Sequence, residues 1–135
     1  MKKFAKVIIT AMAMLTLCFS LTACNGYTSH YSAMAEVSTN TSKKATLSFG
    51  EFKGTYVIKL KSDGESVIAY NASLKQGNIK VYYDYNGEKL DLFEMGTDGS
   101  VQGKTEAFTG GKTVYVIIES DGKCNEGQFS FTLEK

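Results

Sequence analysis

The 135 residues contain no proline, no tryptophan and no arginine, one histidine and three cysteines. Each absence excludes something. Without proline, and with 13 glycines, the chain has to turn on glycine, which fits short strands joined by glycine turns. Without arginine, the planar fork that grips phosphate and carboxylate is missing. The single histidine, His30, and the scarcity of thiols leave no parts for a zinc site or for a Ser-His-Asp or Cys-His engine. No metal, no cofactor and no catalytic residue is expected, and His30 reads as a surface or tether histidine.

What is present begins with a positive N-terminus, Lys2, Lys3 and Lys6, followed by a mostly apolar run from Val7 to Leu21. That run is too short and too interrupted by Thr10, Thr16 and Ser20 for a spanning helix of ~20 residues. It has the form of a secretory signal. It closes on Leu21-Thr22-Ala23-Cys24, which resembles the bacterial lipobox, where the cysteine thiol is diacylglyceryl-modified and the chain is cut before it. The resemblance implies lipidation at Cys24 and anchoring on the extracytoplasmic face of a cell membrane. Two acyl chains suffice for stable attachment.

Removing the three signal lysines leaves 12 lysines against 14 acidic residues, a net charge of −2. Nucleic-acid binders carry a basic stripe, so no nucleic-acid partner is expected. Cys18 leaves with the signal and Cys24 is lipidated, so Cys124 is the lone free thiol and no intramolecular disulfide forms. The chain divides into a signal (1–23), a lipidated cysteine with a Ser/Thr-rich tether (24–42) and one domain (43–135). Within the tether, Ser32 to Ser38 are candidates for an extra edge strand before a turn at Asn40-Thr41.

From Lys44 onward strands and turns alternate. Strands are predicted over 44–49, 55–61, 65–71, 78–85, 88–95, 101–108, 112–119 and 128–134, separated by turn signals such as Asp63-Gly64, Gly77-Asn78, Asp98-Gly99, Gly110-Gly111 and Asp121-Gly122. The fold expected is an all-β antiparallel sandwich of about eight strands, jelly-roll-like. Asn86-Gly87 predicts a two-residue type I′ hairpin. Tyr85 then faces Glu88, Asp84 faces Lys89, Tyr83 faces Leu90 and Val81 faces Leu92. This register turns Val81, Tyr83, Leu90 and Leu92 to the core and Tyr82 and Phe93 outward.

The segments Gly77-Asn-Ile-Lys-Val-Tyr-Tyr, Leu90-Asp-Leu-Phe, Gly111-Lys-Thr-Val-Tyr-Val-Ile-Ile-Glu and Gly127-Gln-Phe-Ser-Phe-Thr-Leu are loosely similar to the C-terminal half of bacterial pre-peptidase C-terminal domains, which are β-sandwiches of secreted proteins. The chain as a whole resembles small lipoproteins of Gram-positive bacteria. These resemblances imply a fold and a surface role, not an activity.

The candidate ligand-binding residues are Tyr82, Phe93 and Tyr115, which with Ile117 would share an outer aromatic face suited to a polysaccharide or a protein. The other reading of the same residues is that a neighbouring loop or second layer covers them. Cys124, in the polar stretch Ser120 to Gly127, reads as a lone exposed thiol, with Lys123 beside it to lower its pKa, or as one half of an intermolecular disulfide. Asp121, Asn125 and Glu126 carry calcium-type oxygens without matching a loop motif. Asp84, Glu88, Asp91, Glu94 and Asp98 read as a solvated face, and only a pairing among such carboxylates would support a hydrolase. The function expected is a non-catalytic, membrane-anchored β-sandwich that binds an envelope or extracellular ligand. The alternative is an accessory lipoprotein contacting another membrane protein.

Overall fold

The computed structural model describes residues 27–109 and 112–135. The signal, Cys24 and the Gly110-Gly111 turn lie outside the described residues. The described residues form nine strands: β1 (His30–Met34), β2 (Val37–Asn40), β3 (Lys44–Lys61), β4 (Val67–Gln76), β5 (Ile79–Asp84), β6 (Leu90–Met95), β7 (Gly99–Lys104), β8 (Thr113–Ser120) and β9 (Cys124–Glu134). Every ladder between them is antiparallel.

β3 organises the rest. Its first half pairs with β9 and its second half with β8, while β2 and β1 occupy its other side in the same order. The result is a front sheet, β2-β3-β9-β4-β7, and a back sheet, β1-β3-β8-β5-β6, joined through β3. The two layers close on one core that includes Leu47, Phe49, Ile58, Leu60, Ile68, Val81, Val116, Ile118 and Phe131. Within β3 the buried positions are Ala45, Leu47 and Phe49, then Phe52, Ile58 and Leu60. The inward parity therefore switches between Phe49 and Phe52, at Gly50-Glu51.

The sequence pattern breaks β3 in two at Gly50 to Gly54; the structure runs through them as one 18-residue strand. These glycines are bend and contact points rather than turns. Gly54, at φ 123°, lies so close to β1 that an added Cβ would sit 2.6 Å from the Tyr31 Cα. The approach lets β1 pair from His30↔Thr55 to Met34↔Glu51. Most of the segment read as a tether is thus part of the sandwich, and the extra edge strand is two strands, one either side of Ala35-Glu36. At the other end, β9 begins at Cys124 rather than 128, because Cys124 to Gly127 pair with the end of β3's first half and with β4. Residues 105–107 lie outside the strands: Thr105 Oγ1 accepts the Ile68 N–H at 3.0 Å, and Phe108 bridges to Ser66 instead of continuing β7.

The hairpin keeps the predicted Tyr83↔Leu90 pair and then departs from the predicted register. Asp84 does not face Lys89. Its carboxylate accepts the backbone N–H of Asn86 (3.1 Å) and Gly87 (2.6 Å), so it closes a longer loop. Gly87 has the expected positive φ, 96°, but Asn86 does not, so the turn is not type I′. Further along, Tyr82↔Asp91 is followed by Val81↔Phe93, which makes Leu92 the extra residue of a bulge. Phe93 consequently turns inward, against the expectation, and stacks on Tyr70 (5.0 Å between centroids) and Phe131 (6.3 Å) across the two layers.

This register sets up a stability comparison. Phe93→Ala is expected to cost about 3 kcal/mol, the lower end for a packed phenylalanine because the site is half-buried. Tyr82→Ala loses chiefly ring contacts with lysines and is expected to cost about 1 kcal/mol or less. Urea melts of the two variants check the order; a larger loss for Tyr82→Ala would contradict the bulge.

Candidate functional site

The outward face of the front sheet is built from alternate residues of five strands. One cross-strand row reads Thr39, Thr46, Ser130, Asn71 and Gln102. The next reads Val37, Ser48, Gln128, Ser73 and Ser100. Each row spans four interstrand steps, roughly 19 Å at ~4.8 Å per step. Nine of these ten side chains are uncharged hydrogen-bonding groups; Val37 is the exception. Thr46, Ser48 and Ser130 are half-buried, whereas Asn71, Ser73, Ser100, Gln102 and Gln128 are exposed. The face is therefore a trough with a recessed floor on β3 and β9.

Three adjoining cavities follow this trough. One of about 320 Å³ lies over Thr46, Ser48, Asn71 and Ser130, and one of about 330 Å³ over Asn71, Gln102, Ser130 and Thr132. The largest, about 720 Å³, occupies the end lined by Ala35, Gly50, Lys75, Asp98, Glu126 and Gln128. That end holds all three non-glycine residues with positive φ among the described residues: Ala35 (55°), Asp98 (59°) and Glu126 (49°). Such conformations cost of order 1–3 kcal/mol each and cluster at ligand clamps and active sites. Charge appears only at the trough's ends, with Lys75, Asp98 and Glu126 at one and Lys104 with Glu134, 3.0 Å apart, at the other.

The predicted site residues lie elsewhere. Tyr82 and Tyr115 do share one face, the outward side of the back sheet, through the rows Val57-Ile117-Tyr82 and Lys59-Tyr115-Asp84. Phe93 is not with them. Nor is the face open. Lys89 Nζ stands 4.1 Å and Lys80 Nζ 5.3 Å from the Tyr82 ring centroid, and Lys89 is tied to Glu119 at 2.9 Å. Tyr115 is covered by the edge-on ring of Tyr27 at 5.2 Å, whose hydroxyl donates to Asp84 Oδ2 at 2.6 Å. Ser29 Oγ accepts the Val57 N–H at 2.8 Å. Residues 27–29 are thus strapped over the back sheet. Ile117, which points away from the core, is only 1% exposed.

His30 is exposed at the start of β1, beside Thr28. Cys124 is buried rather than exposed, with its thiol donating to the Asn78 carbonyl at 3.5 Å. Burial pushes its pKa up, against the lowering expected from Lys123, which lies 3.7 Å from Glu51 instead. Asn125 donates to Gln76 Oε1 at 2.8 Å, and among the described residues no group of three His, Cys, Asp or Glu is placed to hold a metal ion. The trough was missed because its residues read singly as wet strand faces. The signal in the sequence is the alternation Thr46/Ser48, Asn71/Ser73, Ser100/Gln102 and Gln128/Ser130/Thr132, polar yet free of charge.

No family model and no curated protein matches this chain. Among solved structures it is similar to TmCBM61, a carbohydrate-binding module in complex with β-1,4-galactotriose, at 15% identity over 74% of this chain and 70% of that one, TM-score 0.41. It is similar to a CBM4 module at 12% identity over 76% and 79%, TM-score 0.37. A third is the C-terminal CBM6 of LamC, a marine laminarinase of Zobellia galactanivorans, at 13% identity over 74% and 90%, TM-score 0.31. At these values the likeness concerns the arrangement of strands and assigns no ligand to this chain.

The strap offers a titration test. Desolvation, then the hydrogen bond to the Asp84 carboxylate, raises the Tyr27 phenol to about 12 from its ordinary 10.0. The folded state favours the protonated phenol, so the strap's contribution is complete below pH 10 and is lost as pH rises through about 12. Subtracting the tyrosinate absorbance titration of Tyr27→Phe from that of the unaltered protein is expected to leave one group ionising near pH 12; a step near pH 10 would mean the strap is not closed in solution.

Proposed function

We propose that this protein is a lipid-anchored, extracytoplasmic and non-catalytic β-sandwich that binds an uncharged polysaccharide along the front-sheet trough. One observation carries the reading: two adjacent cross-strand rows across five strands, all hydroxyl or amide side chains except Val37 at one edge, run beneath contiguous cavities. A hydroxyl-rich chain offers donors and acceptors along its whole length and carries no charge to be matched. The trough mirrors both properties. A protein partner would instead be held by buried aromatic or arginine anchors, and neither type occurs in the two rows. The anchor is proposed on the lipobox at Cys24.

A second reading, an accessory lipoprotein that contacts another membrane protein, is favoured by one feature. Tyr31, Met34 and Val37 are 38%, 63% and 64% exposed along the β1–β2 side of β3, which would suit a protein surface.

The two readings separate on a panel of neutral and acidic glycans. The double variant Asn71→Ala, Gln128→Ala is expected to weaken binding of a neutral glycan tenfold or more, since each lost hydrogen bond is worth about 1 kcal/mol. Tyr82→Ala should leave binding unchanged. Loss of binding in Tyr82→Ala with the trough intact would move the site to the back sheet, and no binding to any neutral glycan would remove the proposal.

The anchor is tested separately. Cys24→Ser is expected to abolish metabolic acyl labelling and to leave the protein unanchored or retained as precursor. Labelling equal to the unaltered protein would overturn the assignment.

A further inference from the structure

We infer that the lipid anchor orients the sandwich, holding the outer face of the back sheet next to the bilayer and keeping the front-sheet trough off it. The inference rests on the lipidation of Cys24 proposed above. A tether running to residue 42 would leave the domain free to tumble. Tyr27 is instead pinned on the back sheet by Asp84 and Tyr115. Two residues beyond it, Ser29 is held by Val57. Only three peptide units separate Tyr27 from Cys24, and they extend at most about 10–11 Å.

That leash is too short to reach round the domain. Stacked sheets lie ~10 Å apart, and the side-chain layers on the two outer faces roughly double that path. To lay the trough on the bilayer, Cys24 would have to descend about 20 Å from Tyr27, twice its reach. The back-sheet face is mixed in charge, with Lys80 3.7 Å from Asp91 and Lys89 2.9 Å from Glu119. The orientation therefore follows from the leash and needs no anionic lipid.

The test uses the full acylated chain in neutral phosphatidylcholine vesicles that carry a headgroup quencher. A fluorophore is placed on Lys59→Cys, beside Tyr115 on the back sheet, or on Ser73→Cys in the trough; the buried thiol of Cys124 does not compete for label. Quenching at Lys59→Cys is expected to exceed that at Ser73→Cys several-fold. Inserting twelve Gly/Ser residues between Gly26 and Tyr27, a coil of ~17–21 Å, should bring the two towards equality. Equal quenching without the insertion, or a difference that survives it unchanged, would overturn the inference while leaving the anchor in place. Failure of the acylated chain to float with the vesicles would overturn the anchor reading and this inference with it.

Discussion

A strand that belongs to two sheets has to change, part-way along, which of its sides faces the core. β3 makes that change at Gly50-Glu51: Ala45, Leu47 and Phe49 point inward before it, and Phe52, Ile58 and Leu60 after it. Ala45 to Phe52 lie on the part of the strand paired with β9, and Ile58 and Leu60 on the part paired with β8, so one strand contributes core residues to both layers. The side of β3 away from β8 and β9 would be left unpaired without β1 and β2. A long unpaired edge invites association with other chains. Gly54 is the residue that lets β1 approach closely enough to cover it.

The two outer faces of the sandwich then part company. On the back sheet the outward rows include Ile117, Tyr82 and Tyr115, and apolar area of this kind is stabilised by removal from water. Tyr27 and the aliphatic reach of Lys80 and Lys89 provide the cover, and Asp84 serves both the strap and the loop after β5. On the front sheet the outward rows are polar apart from Val37 at the β2 edge, so little has to be covered. The difference is chemical before it is functional: a face that needs covering is available to a strap, whereas a neutral polar face is available to a ligand.

The sequence pattern made the class of fold legible, because period-two alternation and glycine turns are local signals. β5, β6 and β8 fall within two residues of their expected limits, and the Tyr83↔Leu90 pair is as read. What was not legible depends on contacts distant in sequence. Leu92 becomes a bulge because Phe93 finds Tyr70 and Phe131 across the core, neither of which the hairpin alone can anticipate. Asp84 is drawn to its own loop and to Tyr27, 57 residues away, rather than to the lysine opposite. Cys124 sits among polar neighbours in sequence but beneath Gly77, where an added Cβ would lie 2.9 Å from the Cys124 Cα. The trough is the clearest instance. Each strand announces its polar face, but only the order β2-β3-β9-β4-β7 assembles those faces into rows.

The same switch in β3 also lies at the trough's charged end. Gly50, where the parity changes, lines the largest cavity together with Ala35, from the connection between β1 and β2, and Glu126 of β9. Phe49, just before the switch, turns its ring onto Gly127, where an added Cβ would meet ring carbons at under 3 Å. Glu126, the residue before Gly127, takes the left-handed conformation, with φ 49°. Ala35 does the same on the other side of β3, where an added Cβ on Gly50 would lie 3.3 Å from its own. The two strained residues flank the switch, and both line the cavity beside Gly50. The strand shared between two sheets thus brings its switch glycine and two left-handed residues to one cavity, and the polar side chains that line it decide what it is able to hold.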